Sequence, residues 1–166
     1  METITIRPIQ SKDDRRMAQI LRDALVEHDA AKPGTAYFDS STDALTAFFE
    51  VPNAGYFVAE INDVIVGGVG IYPTEGLPSG VCELVKMYID AAYRGKGIGQ
   101  QLIAHATAFA QHVGYSEIYL ESMPELQKAV SIYEHLGFMH LDKPLGNTGH
   151  FSCPIWMIKS IQPLGN

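Results

Sequence analysis

From Arg94 to Gly99 the chain reads Arg-Gly-Lys-Gly-Ile-Gly, a stretch that places three glycines in five positions beside two cations. It follows an apolar, β-branched and aromatic run from Val81 to Ile89, which reads as a largely buried strand broken by Asp90-Ala91-Ala92. A helical pattern reaching Val113 comes next. A turn without Cβ atoms, with its backbone N–H groups at a helix N-terminus, can take an anion at close range. Two phosphate-loop spacings do not fit. The dinucleotide pattern G-x-G-x-x-G meets Gln100 where its last glycine should stand, and a Walker A loop would need glycine at Asp90 and Ser or Thr at Gly97. Two carboxylates offer a second kind of chemistry. Glu83 lies inside the strand between Cys82 and Leu84, where an ionisable side chain needs a reason. Glu121 ends the next strand, and ligands of open α/β sheets collect at the carboxyl ends of strands.

The spacing that does fit, Arg94-x-x-Gly97-x-Gly99 after a strand, resembles the acetyl-CoA pyrophosphate loop of the GNAT N-acetyltransferase superfamily. The block Ala129-Val130-Ser131-Ile132-Tyr133-Glu134-His135-Leu136-Gly137-Phe138 resembles that superfamily's A-x-x-x-Y-x-x-x-G-F signature. The two blocks together span Val81 to Phe138, in the expected order and at a fitting separation. The resemblance implies an α/β fold, a mixed central sheet of about six to seven strands flanked by about four helices. It also implies acetyl-CoA as acyl donor, held by Arg94, Gly95, Lys96, Gly97, Ile98, Gly99 and Gln100, with Lys128 as a further cation. A backbone N–H of Met87, Tyr88 or Ile89 would polarise the thioester carbonyl, and Tyr133 would protonate the departing thiolate. A phenol of pKa near 10 can protonate a thiolate whose conjugate acid is near 8.5 only modestly uphill. The superfamily's asparagine seven residues before that tyrosine is Leu126 here, which takes away one cofactor contact and leaves the loop.

Transfer to a primary amine needs a neutral nucleophile. A lysine-like amine costs about 4.6 kcal/mol to deprotonate at pH 7, so a base beside it matters. Glu83 is the first candidate and Glu121 its rival, while Lys86 reads as a solvated strand residue. Two readings from other classes stand beside the enzyme: a CoA-binding sensor or structural module without turnover, and a thiol enzyme using Cys82 beside Glu83.

Composition narrows the rest. A chain of 166 residues, 46% of them hydrophobic, is one ordinary domain from 1 to 166 with a substantial core. A net charge of −7 argues against general nucleic-acid binding, where a basic footprint is expected. The N-terminus lacks a signal-peptide apolar region and no run is long enough to cross a membrane, so a cytoplasmic protein is expected. The two cysteines, Cys82 and Cys153, and the six histidines show no metal-ligand spacing, so no metal site is expected. Self-association into a homodimer is left open.

The elements that must carry these residues are legible in order. Thr3 to Arg7 alternates and reads as a strand closed by Pro8; a helix capped by Ser11-x-x-Asp14 then runs to about Val26. Ser40-x-x-Asp43 caps a short second helix. Gly55–Ile61 and Val64–Ile71 form a hairpin around Asn62-Asp63, with Gly67-Gly68 marking a bulge or close approach. A helix from the glycine turn ends at Gly114, and the strand Ile118–Leu120 lies parallel to the central one. A fourth helix ends at Gly137, and Phe138–Leu141 pairs with Ile155–Lys159 around a long excursion. The acceptor, a small-molecule or peptide amine, is expected between that excursion and the connector after the first helix. Tyr37, Phe38, Glu121, Asn147 and His150 are its candidate contacts, and negative charge favours cationic acceptors through steering.

Overall fold

The structure is a computed structural model that describes residues 2–164. Seven strands form one mixed sheet: β1 (Ile4–Pro8), β2 (Gly55–Ile61), β3 (Val64–Tyr72), β4 (Val81–Ile89), β5 (Glu117–Ser122), β6 (Met139–His140) and β7 (Ile155–Ser160). Their spatial order is β1-β2-β3-β4-β5-β7-β6, and only β4 and β5 run parallel. Four helices flank it: α1 (Asp14–Glu27), α2 (Leu45–Phe48), α3 (Ile98–Val113) and α4 (Gln127–His135). Together with short 3-10 turns they give the mixed α/β architecture expected.

The period of two along β2 sorts the core. Phe57, Ala59 and Ile61 pack with Ile98, Leu102 and Ala106 of α3, while Tyr56 and Val58 pack with Met17 and Ile20 of α1 and Leu45 of α2. The α1 stripe therefore closes one face of the sheet and α3 the other. At the β2–β3 turn Asn62 and Asp63 adopt φ of 50° and 64°, the left-handed pair that a two-residue hairpin requires. Gly68 serves close approach: a Cβ there would stand 2.6 Å from the Tyr56 ring and 2.9 Å from Met17 Sδ.

Three local expectations shift. The capping contact is not Ser11-x-x-Asp14 but belongs to a 3-10 turn, Ser11–Asp13, that leads into α1: the Gln10 N–H donates to Asp13 Oδ2 at 2.9 Å and Arg7 holds the same carboxylate. Asp14 instead accepts from the N–H and the hydroxyl of Thr46, at 3.1 and 2.6 Å, tying α1 to α2. The strand after α4 shortens to Met139–His140, and Pro8 is the last residue of β1 rather than its stop, tolerated on an edge strand that needs no further N–H donor.

Two irregularities of β4 position the site. Between the pairs Gly70↔Val85 and Gly68↔Tyr88, Lys86 and Met87 oppose Val69 alone, and Lys86 takes φ of +52°. This is a β-bulge, which turns the strand. On its other side β4 pairs with β5 only from Val81 to Glu83, against Glu117 to Tyr119. Beyond that point the two parallel strands part, and the backbone N–H and C=O groups of β4 on that side face a cleft instead of a neighbour.

Candidate active site

The glycine turn sits where β4 ends. Asp90 accepts the Ala92 N–H at 3.0 Å and closes the strand, and Gly97 caps α3 in the left-handed conformation. Gly95 and Gly97 both have φ of +79°, and a Cβ on either would meet no protein atom within 4 Å. Glycine is needed there for backbone handedness, and the space beside the turn is open. The first bond into α3 runs from the Gln101 N–H to the Gly97 carbonyl at 3.2 Å. Ahead of it, the N–H groups of Gly97, Ile98, Gly99 and Gln100 meet no backbone carbonyl among the described residues. Four free donors and the positive end of a 16-residue helix make an anion cradle.

Of the cations expected beside it, Arg94 and Lys128 line the cavity below and Lys96 does not. Lys96 Nζ pairs with Glu2 at 3.1 Å and lies over the Tyr93 ring. Arg94 donates to the Ile89 carbonyl at 3.2 Å and to Glu27 at the end of α1 at 2.7 Å, so its guanidinium ties the turn to β4 and α1.

A single cavity of about 890 Å³ occupies the cleft between β4 and β5. Its size is that of a small-molecule site. It starts at Gly95, Gly97, Ile98, Gly99 and Gln100, passes Met87, Tyr88 and Ile89, and reaches Glu83, Glu121 and His150 at the far end. Leu126, Ala129, Ile132 and Tyr133 of the α4 segment form its other wall. The expected cofactor turn and the expected acid and base thus share one space. Tyr37, Phe38 and Asn147 stay outside it. Tyr37 packs under α1 with the Arg22 guanidinium over its ring, Phe38 is 60% exposed, and the exposed Asn147 bonds through its backbone N–H to the Glu75 carbonyl at 2.8 Å.

Glu83 is buried, 4% exposed, yet it lines the cavity. One of its oxygens accepts from the Thr74 hydroxyl at 2.5 Å. Burial, reinforced by the Glu121 charge and opposed by the Thr74 bond, pushes the Glu83 carboxyl up to about 7. Glu121 spends its oxygens on two hydroxyls, Tyr119 at 2.6 Å and Thr148 at 2.5 Å. Tyr133 is 5% exposed, packs edge-on against Phe138 at 5.6 Å, and burial raises its phenol well above the ordinary value. A phenol so placed keeps its proton until a stronger base appears. Cys82 offers no comparable chemistry: fully buried and outside the cavity wall, it donates to the Glu117 carbonyl at 3.6 Å, and burial pushes its thiol up to about 12.

The sequence pointed past one cluster. Lys86 is buried rather than solvated, because the bulge turns it inward, and its Nζ meets Asp39 Oδ2 at 2.7 Å. His150 Nε2 meets the same oxygen at 2.8 Å. Burial raises the Asp39 carboxyl, but His150 and Lys86 outweigh it and bring it down to about 2. Burial likewise pulls the His150 imidazole down, and Asp39 more than restores it above its usual value. Nothing local marks Asp39 as a partner for residues on β4 and in the excursion. Asp39 and Thr148 also face a shallower cleft of about 550 Å³, while their partners His150 and Glu121 face the main cavity, so the wall between is one hydrogen bond thick. The bulge is braced from behind by the Tyr56 hydroxyl, which donates to the Lys86 carbonyl at 2.7 Å.

No helix among the described residues is long and apolar enough to cross a membrane, and no group of three His, Cys, Asp or Glu side chains could hold a metal ion. Comparison with known proteins gives a consistent family. The uncharacterized N-acetyltransferase YjgM of Escherichia coli is 36% identical over 157 residues, 94% of each chain. A GNAT-family acetyltransferase of Staphylococcus aureus superposes with a TM-score of 0.82 at 17% identity, covering 95% of this chain and 99% of the other. The yncA protein of Salmonella typhimurium, solved with its cofactor acetyl-CoA, gives a TM-score of 0.73 at 20% identity over 98% of this chain and 95% of the other. The family model of the acetyltransferase (GNAT) family matches residues 16–138, and with it the chain belongs to that family.

Proposed function

We propose that this protein, as a single domain, transfers an acetyl group from acetyl-CoA to a primary amine of a small molecule or peptide by direct attack. The observation that carries the proposal is the continuity of one cavity from the anion cradle at Gly95–Gln100 to the buried Glu83. Acetyl-CoA fits the donor end because the cradle presents backbone N–H donors to open space, with Arg94 and Lys128 beside it. It supplies a thioester carbonyl and a thiolate leaving group.

The remaining steps belong to the chain. The backbone of β4 between Met87 and Ile89, released from β5, offers N–H groups where a carbonyl oxygen gains charge. Glu83, held by Thr74 and set near neutrality, accepts the proton that an ammonium must lose before its nitrogen can attack. As the C–N bond forms and the C–S bond breaks, a second proton leaves the nitrogen. Tyr133 delivers a proton to the sulfur and is restored by that second one, so one proton reaches solvent through Glu83 and one ends on CoA.

Free CoA release on mixing acetyl-CoA with a panel of primary amines tests the reaction. Tyr133→Phe keeps the shape and deletes the proton, so kcat should fall about 10- to 10³-fold with the acetyl-CoA dissociation constant nearly unchanged. Binding of acetyl-CoA without CoA release from any amine would leave a cofactor-binding module and remove the enzyme.

A further inference from the structure

A side chain of β2 reaches the bulge of β4 across the strand between them. Tyr56 stands opposite Gly70 of β3, and Gly70 stands opposite Val85 of β4, so two inter-strand steps of about 4.8 Å separate the tyrosine from the bulged strand. Its ring, 2% exposed, crosses β3 where Gly68 and Gly70 leave that face bare. A Cβ at Gly70 would stand 2.9 Å from the ring, and one at Gly68 would stand 2.6 Å from the ring and 2.8 Å from the hydroxyl oxygen. Val69, between the two glycines, packs with the α3 side of the core. Beyond β3 the hydroxyl donates to the Lys86 carbonyl at 2.7 Å.

The bulge makes that carbonyl available. Lys86 holds φ of +52°, strained for a residue with a Cβ, and neither it nor Met87 takes a one-to-one partner on β3 or β5. A trans peptide unit carries its C=O and N–H in opposite directions, and the described peptide bonds are all trans. With the Lys86 oxygen drawn back over β3 toward Tyr56, the Met87 N–H of the same unit points the other way, to the side from which β5 has departed. Met87 lines the cavity there.

We propose that Tyr56 is a positioning residue for the acetyl transfer proposed above: by holding the Lys86 carbonyl it aims the Met87 N–H at the thioester oxygen. As the amine nitrogen adds to the carbonyl carbon, that oxygen gains negative charge, and the N–H donates to it without giving up its proton. When the C–S bond breaks, the charge returns to the carbonyl. A peptide unit free to rotate would meet the oxygen in only some of its orientations, whereas one pinned from behind needs no reorganisation during the reaction. The role depends on the acetyl-transfer reading and singles out one of the N–H groups that β4 offers between Met87 and Ile89.

Tyr56→Phe deletes one oxygen and keeps the ring between the glycines. Losing a whole oxyanion donor costs about 10²- to 10³-fold in kcat, so a donor that remains but is no longer aimed should cost about 10- to 100-fold. The acetyl-CoA dissociation constant and the acceptor KM should stay within about twofold of wild type. A residue that only stabilises the fold would lower the melting temperature and leave kcat alone. Infrared difference spectra of bound acetyl-CoA, isotope-labelled at the thioester carbonyl, read the contact directly: binding should lower the C=O stretch in the wild type, and Tyr56→Phe should lose most of that lowering. If kcat and the stretch in the variant match the wild type, the positioning role is overturned. Should the variant fail to fold, hydrogen exchange in the wild type decides: the Met87 amide should exchange in the free protein and become protected when acetyl-CoA binds, and an amide protected in both states or in neither overturns the proposal. An unshifted stretch in a wild type that still releases CoA to an amine removes the positioning role and leaves acetyl transfer standing. A wild type that does not bind acetyl-CoA removes both.

Discussion

The two ends of the cavity are made of different material. At the proposed donor end the groups free to meet an anion are backbone N–H groups of neighbouring residues, and only Gly95 and Gly97 have backbone angles that restrict the side chain. At the acceptor end they are side chains from separate segments: Asp39 from the connector after α1, Thr74 from the β3–β4 loop, Glu83 and Lys86 from β4, Glu121 from β5, Thr148 and His150 from the excursion before β7. Backbone donors need a turn of the right handedness and a helix behind it, which a short sequence can specify. A charge cluster needs the whole fold to bring its members together. One end should therefore fail to a single added Cβ and ignore pH, whereas the other should answer to pH and to individual charges.

The largest contrast is expected at Gly97. Gly97→Val forces a β-branched residue into φ of +79°, at a strain of about 1 to 3 kcal/mol. A Cβ there touches no protein atom, so the fold should survive with a lowered melting temperature while acetyl-CoA affinity in calorimetry drops more than about 100-fold, beyond the helix-terminus contribution of roughly 0.3 to 2 kcal/mol. Unchanged affinity would break the comparison at its donor end.

Glu83→Gln should cost about 10² to 10⁴ in kcat. Wild-type kcat/KM should rise as Glu83 ionises around pH 7, and the variant should lose that inflection while keeping the gradual rise from the amine itself. Stability should move the other way. The folded carboxyl sits at about 7, above its ordinary 4.5, so its stabilising contribution is full below about pH 4.5 and is lost as the pH rises through 7. Glu83→Gln should accordingly melt like the wild type at pH 4.5 and gain up to about 3 kcal/mol over it by pH 8. A constant difference across that range would mean that Glu83 ionises normally in the fold. If Glu121→Gln removes the rate inflection instead, the two carboxylates exchange roles.

Asp39→Ala strands the Lys86 ammonium, whose side chain is 4% exposed, and should cost about 2 to 4 kcal/mol in denaturant unfolding. Adding Lys86→Met should recover most of it. No recovery would mean that Asp39 acts through His150 and the excursion rather than through the buried lysine. The smallest differences separate residues inside the excursion. His150→Ala should raise the acceptor KM about 3- to 10-fold, while Asn147→Ala and Phe38→Ala, which lie off the cavity, should stay within about twofold of wild type. Steady-state kinetics with a single acceptor decide it, and an effect at Asn147 equal to that at His150 would extend the acceptor end along the loop.

Most of the donor end is legible in the sequence alone. The glycine turn, the strand feeding it and the tyrosine on α4 are specified by residues close together in sequence, and they fall where the spacing puts them. Lys96 is the exception, because its nearest carboxylate lies on Glu2, 94 residues away. The acceptor end was legible only in part. Glu83 and Glu121 could be picked because a charge on an apolar strand, or at its carboxyl end, stands out against its neighbours. Tyr37, Phe38 and Asn147 looked equally apt in composition, but which way a loop side chain turns depends on what packs beneath it.

What the sequence determined by itself is the order of elements, the hairpin at Asn62-Asp63 and a glycine turn ahead of α3 able to take an anion. Each follows from local stereochemistry and from apolar periods of two and about 3.6. What only the tertiary structure decided is where β4 leaves β5 and what then faces the gap. The bulge at Lys86 sends a lysine inward to an aspartate 47 residues earlier, and that aspartate is shared with a histidine 111 residues away. Such pairings cost desolvation that no single segment can offset, so they exist only where the packed sheet, both connectors and the excursion hold the charges within hydrogen-bond reach.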